Sequence, residues 1–163
     1  MKTVTTRYVF SLLAALSIVS CNQAPKQQAE PAASAETESS VKLSLAQWSL
    51  HRAIRSVEMS PYDFAEKAHE MGFQGLEYVN QLYTDVVRAE DKKAAVAAFV
   101  EKNNELAAQF GLQNVLIMID GEGSLSTSDA TSRAEAIENH KLWIDAAADM
   151  GCSAVRLNLY GEK

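Results

Sequence analysis

Three segments of this 163-residue chain lie over one another without a gap. They are Met71-Gly72-Phe73-Gln74-Gly75-Leu76-Glu77-Tyr78, Phe110-Gly111-Leu112-Gln113-Asn114-Val115-Leu116-Ile117 and Met150-Gly151-Cys152-Ser153-Ala154-Val155-Arg156-Leu157. Their leading glycines are 39 and 40 residues apart. A period of that length marks one supersecondary unit used repeatedly, each copy burying its apolar face against the next. In every copy the glycine closes an amphipathic stretch and precedes a short apolar run. That is the place of a helix C′ residue, which needs positive φ.

The helices carry start signals. Ser60-Pro61-Tyr62-Asp63 places a serine cap before a proline at the first helical position, with an acid in the first turn. Phe64, Ala68 and Met71 then share a face. A second helix is expected from about Asp91 to Phe110, burying Val96, Phe99, Val100, Leu106, Ala107 and Phe110. A third starts near Ser128 or Asp129, with Ala134, Ile137, Ile144 and Ala148 as its stripe and His140 on the buried side. Strands are expected at Leu43–Leu50, Leu76–Asn80, Val115–Asp120 and Ala154–Tyr160. The order β-α-β-α-β-α-β with long crossovers demands parallel strands.

The expected fold class is therefore α/β, with parallel βα units. Units of about forty residues fit an eight-unit barrel, which needs roughly 250 residues. Residues 43–163 supply about half of one, so the chain reads as truncated after its fourth strand. Its first and last strands would be open edges, offering a route to self-association. An open doubly wound sheet is the rival, but it places a glycine-rich phosphate loop after its first strand. Here that strand runs into Trp48-Ser49-Leu50-His51-Arg52. Gly121-Glu122-Gly123 is a lone G-x-G without a third glycine.

Residues 1–20 read as an address. Lys2 and Arg7 precede an apolar run from Tyr8 to Val19, too short for the ~30 Å hydrocarbon core. Leu16-Ser17-Ile18-Val19-Ser20-Cys21 resembles a bacterial lipobox, with Cys21 as the lipidated residue. Asn22 after it favours the outer membrane, on the periplasmic side. Residues 21–42 form the lipidated cysteine and a Gln-, Ala-, Glu-, Ser- and Pro-rich tether with too little apolar surface to order itself.

The whole chain carries 15 Lys and Arg against 21 Asp and Glu, a net charge of -6. Cleavage before Cys21 removes Lys2 and Arg7 and no acid, giving -8. Without a basic stripe, the charge balance argues against duplex nucleic acid, and no nucleic-acid partner is expected. Two cysteines, Cys21 and Cys152, make no disulfide framework. Cys152 reads as a small buried hydrophobe.

Polar residues inside strands point to chemistry. Leu76 and Tyr78, Val115 and Ile117, and Val155 and Leu157 are expected toward the helices. Glu77, Arg156 and Asn158 then share the opposite face with Val79, Leu116 and Met118. Charges buried there must find each other, water or a ligand. One reading pairs Glu77 with Arg156. The other makes them a polar floor under a sugar-like ligand, with Asn158, Asp120 and Gln47 around it. His51, Asn80, Asp120, Glu122 and Tyr160 follow the strands at the C-terminal rim, where barrel active sites sit.

Gln47-Trp48-Ser49-Leu50-His51-Arg52, Gly75-Leu76-Glu77-Tyr78-Val79-Asn80-Gln81, Met118-Ile119-Asp120-Gly121-Glu122-Gly123, and Glu138-Asn139-His140-Lys141-Leu142-Trp143-Ile144-Asp145 with the segment through Asn158 resemble the sugar phosphate isomerase/epimerase family. The resemblance covers 43–163 and implies a xylose-isomerase-like TIM barrel, of which this chain is the N-terminal half. It implies metal-assisted proton transfer beside a sugar carbonyl, with a divalent Mn, Mg or Zn held by Glu, Asp and His of later strands. This half would then supply substrate contacts, namely His51, Glu77, Asp120, Glu122, Arg156 and Asn158, and be inactive alone. Two alternatives stand beside it: a non-catalytic envelope sugar-binding lipoprotein, and a metal-dependent endonuclease of the same barrel superfamily.

Overall fold

A computed structural model describes residues 41–159. The leader, Cys21, the tether up to residue 40 and Tyr160 lie outside the described residues. The strands are β1 (Ser44–Ala46), β2 (Gly75–Val79), β3 (Gln113–Ile119) and β4 (Ala154–Leu157). The helices are α1 (His51–Arg55), α2 (Phe64–Glu70), α3 (Thr84–Val87), α4 (Lys92–Gln109) and α5 (Ala130–Asp149). The protein is α/β, with a four-stranded, all-parallel sheet in the order β1-β2-β3-β4.

The repeat is built by three equivalent helix ends. Gly72, Gly111 and Gly151 adopt φ of 81°, 67° and 71°. The next residue in each case donates back to a buried alanine carbonyl: Phe73 to Ala68 at 3.0 Å, Leu112 to Ala107 at 2.9 Å and Cys152 to Ala147 at 2.9 Å. These are the 6→1 bonds of a Schellman turn, which satisfy carbonyls the helix leaves open and aim the chain into the next strand. At the other ends Ser60 and Asp63 form a capping box, Asp91 accepts from Ala94 N and Asp129 accepts from Ser132 N.

One sheet face packs under α2, α4 and α5. Leu45, Leu76, Tyr78, Ile117 and Ile119 join Phe64, Ala68, Val96, Ala107 and Ala147 in one core. Phe99 lies at its centre, edge-on to Tyr78, Tyr83 and Trp143 at 6.1, 4.7 and 5.4 Å. Such edge-to-face pairs align ring edges with ring faces of opposite partial charge.

Five expectations about the elements change. The first strand ends at Ala46 and passes into a 3-10 turn, Gln47–Leu50, and then α1. α3 was not expected. Met71 is more than half exposed, because the Schellman turn swings it away from the Phe64–Ala68 face. On α5 the buried stripe is Ala136, His140, Trp143 and Ala147, while Ile137 and Ile144 are 40% and 42% exposed. Small alanines let α5 approach the sheet closely, and Trp143 fills the gap beside Phe99. His140 is buried as expected, its Nδ1 against Ala136 O at 2.7 Å.

The fifth change is one of register. Leu76 pairs with Asn114 but Glu77 with Leu116, so Val115 is an extra residue on β3. A bulge of this kind turns two successive side chains to one side. Val115 therefore faces Ser44 and Gly75, away from the helices. Asn114 takes its place on the helix side, accepting from Tyr78 Oη at 2.6 Å and donating to Asn104 Oδ1 and Met150 O at 2.8 and 3.0 Å.

Candidate functional site

The face away from the helices carries Ala46, Glu77, Val79, Leu116, Met118, Arg156 and Asn158, as period-2 alternation requires. Over the C-terminal ends of the strands it opens into a cleft of about 850 Å³, lined by Trp48, Ser49, Gln81, Asp120, Arg156 and Asn158 over Ala46 and Met118. The parallel crossovers bring these residues together from the ends of all four strands.

Asp120 organises the cleft. Its Oδ1 accepts from Arg156 Nη1 at 2.9 Å and from Asn158 Nδ2 at 2.6 Å, and its Oδ2 accepts from Gln81 Nε2 at 3.0 Å. The carboxylate is mostly buried and Arg156 is 41% exposed, so the guanidinium keeps free N–H donors toward solvent. Trp48 closes one side. His51 stacks on its indole at 4.5 Å, and the Arg55 guanidinium lies 4.8 Å from its centroid.

Behind the cleft a buried polar network holds this arrangement. Asn80 Oδ1 accepts from Asp120 N at 2.8 Å, and Asn80 Nδ2 donates to Glu122 Oε1 at 3.1 Å. Trp143 Nε1 donates to the same Glu122 oxygen at 2.7 Å, while Lys92 Nζ pairs with the other at 2.5 Å. Glu122 is thus a buried acceptor with both oxygens engaged, 5% exposed.

Three of the six expected contact residues meet at the cleft: Asp120, Arg156 and Asn158. The other three do not line it. Glu122 is turned inward, because Gly121 and Gly123 at φ 79° and 97° reverse the chain after β3. His51 touches the cleft only through Trp48, its Nδ1 tied to Trp48 O. Glu77 lies lower on the sheet, level with Ala46 and Leu116, and accepts from Ser44 Oγ at 2.5 Å.

The Glu77–Arg156 ion pair does not form. Register places Glu77 beside Leu116, which pairs with Ala154, and Arg156 pairs with Met118. The repeat alignment equated Glu77 with Arg156, but β4 is offset by two residues from it. Gln47 is also displaced from the expected ligand site. It is fully buried, with Val79 N donating to its Oε1 and its Nε2 donating to Pro61 O and Tyr83 Oη, all at 3.0 Å. Burial drives the Tyr83 hydroxyl far above the usual phenol range, so it remains protonated within this network.

Sequence reasoning missed Trp48, Ser49 and Gln81 as cleft residues and Lys92 as the half-buried partner of Glu122. Gln81 follows Asn80 past the end of β2, so rim position alone pointed to it. Lys92 carried no signal, since its partner is thirty positions away. Among the described residues no three His, Cys, Asp or Glu side chains converge to hold a metal ion. Asp120 and Glu122 are spent on Arg156, Asn158, Gln81, Lys92, Asn80 and Trp143, so this donor set does not fit a divalent metal. Among the same residues no helix is long and apolar enough to cross a membrane. No protein-family model matches the chain, and no curated protein does.

Proposed function

We propose that residues 43–163 form the N-terminal half of a xylose-isomerase-like TIM barrel of the sugar phosphate isomerase/epimerase type, and that the rim cleft is its substrate-binding wall. The sequential order β1-β2-β3-β4 supports a singly wound barrel, because a doubly wound sheet reverses its strand order. The repeat-equivalent residues Glu77, Leu116 and Arg156 drift by two residues of register over two strand steps. A drift of that size is consistent with an eight-stranded barrel with a shear of about 8. α5 also has a second apolar flank, Ile137, Ile144 and Ala148, left exposed. An exposed apolar flank of this kind is a surface against which a further βα unit would pack.

The observation that carries the sugar reading is the Asp120–Arg156–Asn158–Gln81 cluster around a cleft walled by Trp48. Sugar hydroxyls need interleaved donors and acceptors, and a sugar's C–H groups pack against apolar surface, which Trp48 offers through the exposed part of a ring that His51 and Arg55 already lie against. A few placed polar groups beside an aromatic wall meet both needs. In the complete fold a divalent metal, Mn, Mg or Zn, would supply polarisation of the carbonyl. The described residues do not form that centre, so in this reading they bind and orient substrate and are assigned no proton-transfer step. The half alone is inactive in this reading, and Cys21 would tether it to the periplasmic side of the outer membrane.

A second reading, a non-catalytic envelope sugar-binding lipoprotein, is favoured by one observation. Both Asp120 oxygens are engaged, leaving no free carboxylate poised as a base. Turnover separates the two. In the whole protein carrying this chain, Arg156→Ala and Asn158→Ala, both at the cleft, are expected to lower keto-sugar isomerisation or epimerisation by about tenfold or more. Unchanged turnover would reject the substrate-wall assignment. Sugar binding with no turnover in that protein would select the binding lipoprotein.

A further inference from the structure

The rim holds a second hollow beside the first, of about 590 Å³. Its floor is apolar: Ile54 and Leu82 are buried there, with Met59 packed against them. Tyr62, Arg55, Thr84 and Asp85 are part of its lining. Burial and the Asp85 carboxylate hold the Tyr62 phenol above its ordinary value, so it stays a hydrogen-bond donor. Each hollow alone lies within the roughly 300–1,000 Å³ of small-molecule sites.

One side chain, Gln81, borders both hollows. Its amide is tied at each end, accepting from Arg55 Nη2 at 3.4 Å and donating to Asp120 Oδ2 at 3.0 Å. The polar cleft and the apolar one thus share this amide as a common wall.

Val57 supplies a second observation. It has φ 63°, a region that β-branched residues avoid, and its side chain is 88% exposed at the second hollow. The turn after α1 is fixed by Val57 N to Ile54 O at 3.2 Å and Glu58 N to Ala53 O at 3.0 Å. Glycine or asparagine would suit that conformation better, yet the position presents an apolar group to solvent beside an apolar floor.

We infer that the rim takes a two-part ligand: a sugar unit in the polar cleft, joined through its glycosidic oxygen to an apolar ring held in the second cleft. The ligand class is a glycoside with an apolar aglycone, not a free monosaccharide. This rests on the sugar reading of the first cleft and adds to it the group carried at the anomeric carbon. Gln81 sits where the linkage crosses.

The test compares phenyl and methyl glycosides in matched pairs: glucosides, galactosides and xylosides of both anomers, with the free sugars alongside. Binding to the full chain is followed by calorimetry and by tryptophan fluorescence, since Trp48 lies at the first cleft. At least one phenyl glycoside is expected to bind about tenfold or more tightly than its methyl partner. Val57→Gly, which removes the apolar group, and Thr84→Trp, which fills the second hollow, should each cut that ratio to about threefold or less. Glycine relieves the strained φ, so the Tm of Val57→Gly should hold or rise, separating lost binding from lost folding. Equal affinities within every pair, or a ratio that survives both substitutions, overturns the two-part ligand while free-sugar binding keeps the first reading alive. If neither glycosides nor free sugars bind, both fall together.

Discussion

Asp120 and Glu122 stand two residues apart and do opposite work. Asp120 faces the cleft with partners that a ligand hydroxyl can partly replace, whereas Glu122 is sealed behind it by Lys92, Asn80 and Trp143. Glu122→Ala is expected to destabilise the fold by about 2–4 kcal/mol, because it strands a buried indole N–H, an amide and an ammonium. Urea denaturation measures it. Asp120→Asn should cost only about 1 kcal/mol, since its ion partner is substantially exposed, while weakening the proposed sugar binding about tenfold. Equal stability losses at the two positions would contradict this division. Burial pushes the Cys152 thiol up to about 11, so at neutral pH it is protonated. Its alkylation by iodoacetamide in the folded protein should rise about tenfold per pH unit from pH 8 until near that value. A plateau near pH 9 would mean that the thiol is not desolvated. The polar character of Asp120, Arg156 and Asn158 was legible from strand alternation. The inward turn of Glu122 was not, because two positive-φ glycines and a lysine thirty positions away decide it.

At the level of elements, the sheet has little tolerance beside its bulge. A Cβ at Gly75 would lie 2.7 Å from Val115 Cγ2 and 3.0 Å from Ser44 Cβ. Gly75→Ala is therefore expected to cost about 1–3 kcal/mol by overpacking, read as a lowered denaturation midpoint. If that midpoint is unchanged, Val115 does not face the sheet as described. The helix starts and ends were readable, since capping residues and C′ glycines act within a few positions of themselves. The phase of α5 was not. Its sequence offers two apolar stripes, and the more hydrophobic one, Ile137 with Ile144, lies outside. Close approach to the sheet selected the stripe with alanines and Trp143, and local hydrophobicity carries no information about that distance.

For the molecule as a whole, β4 marks an edge of the sheet, since it pairs only with β3 among the described residues. β2 is bonded on both sides, so its amides should exchange with solvent about 100-fold more slowly than those of β4. Equal protection would mean that another strand covers the β4 edge, and light scattering over a range of concentrations would then report whether a second copy supplies it. The sequence by itself determined the repeat, the alternation of strand and helix and the parallel sheet, because caps, C′ glycines and apolar periodicity are local. Only the tertiary structure decided the register between strands, the bulge at Val115 and which carboxylates reach the cleft. Those depend on contacts between residues thirty to forty positions apart, whose energies no local pattern encodes.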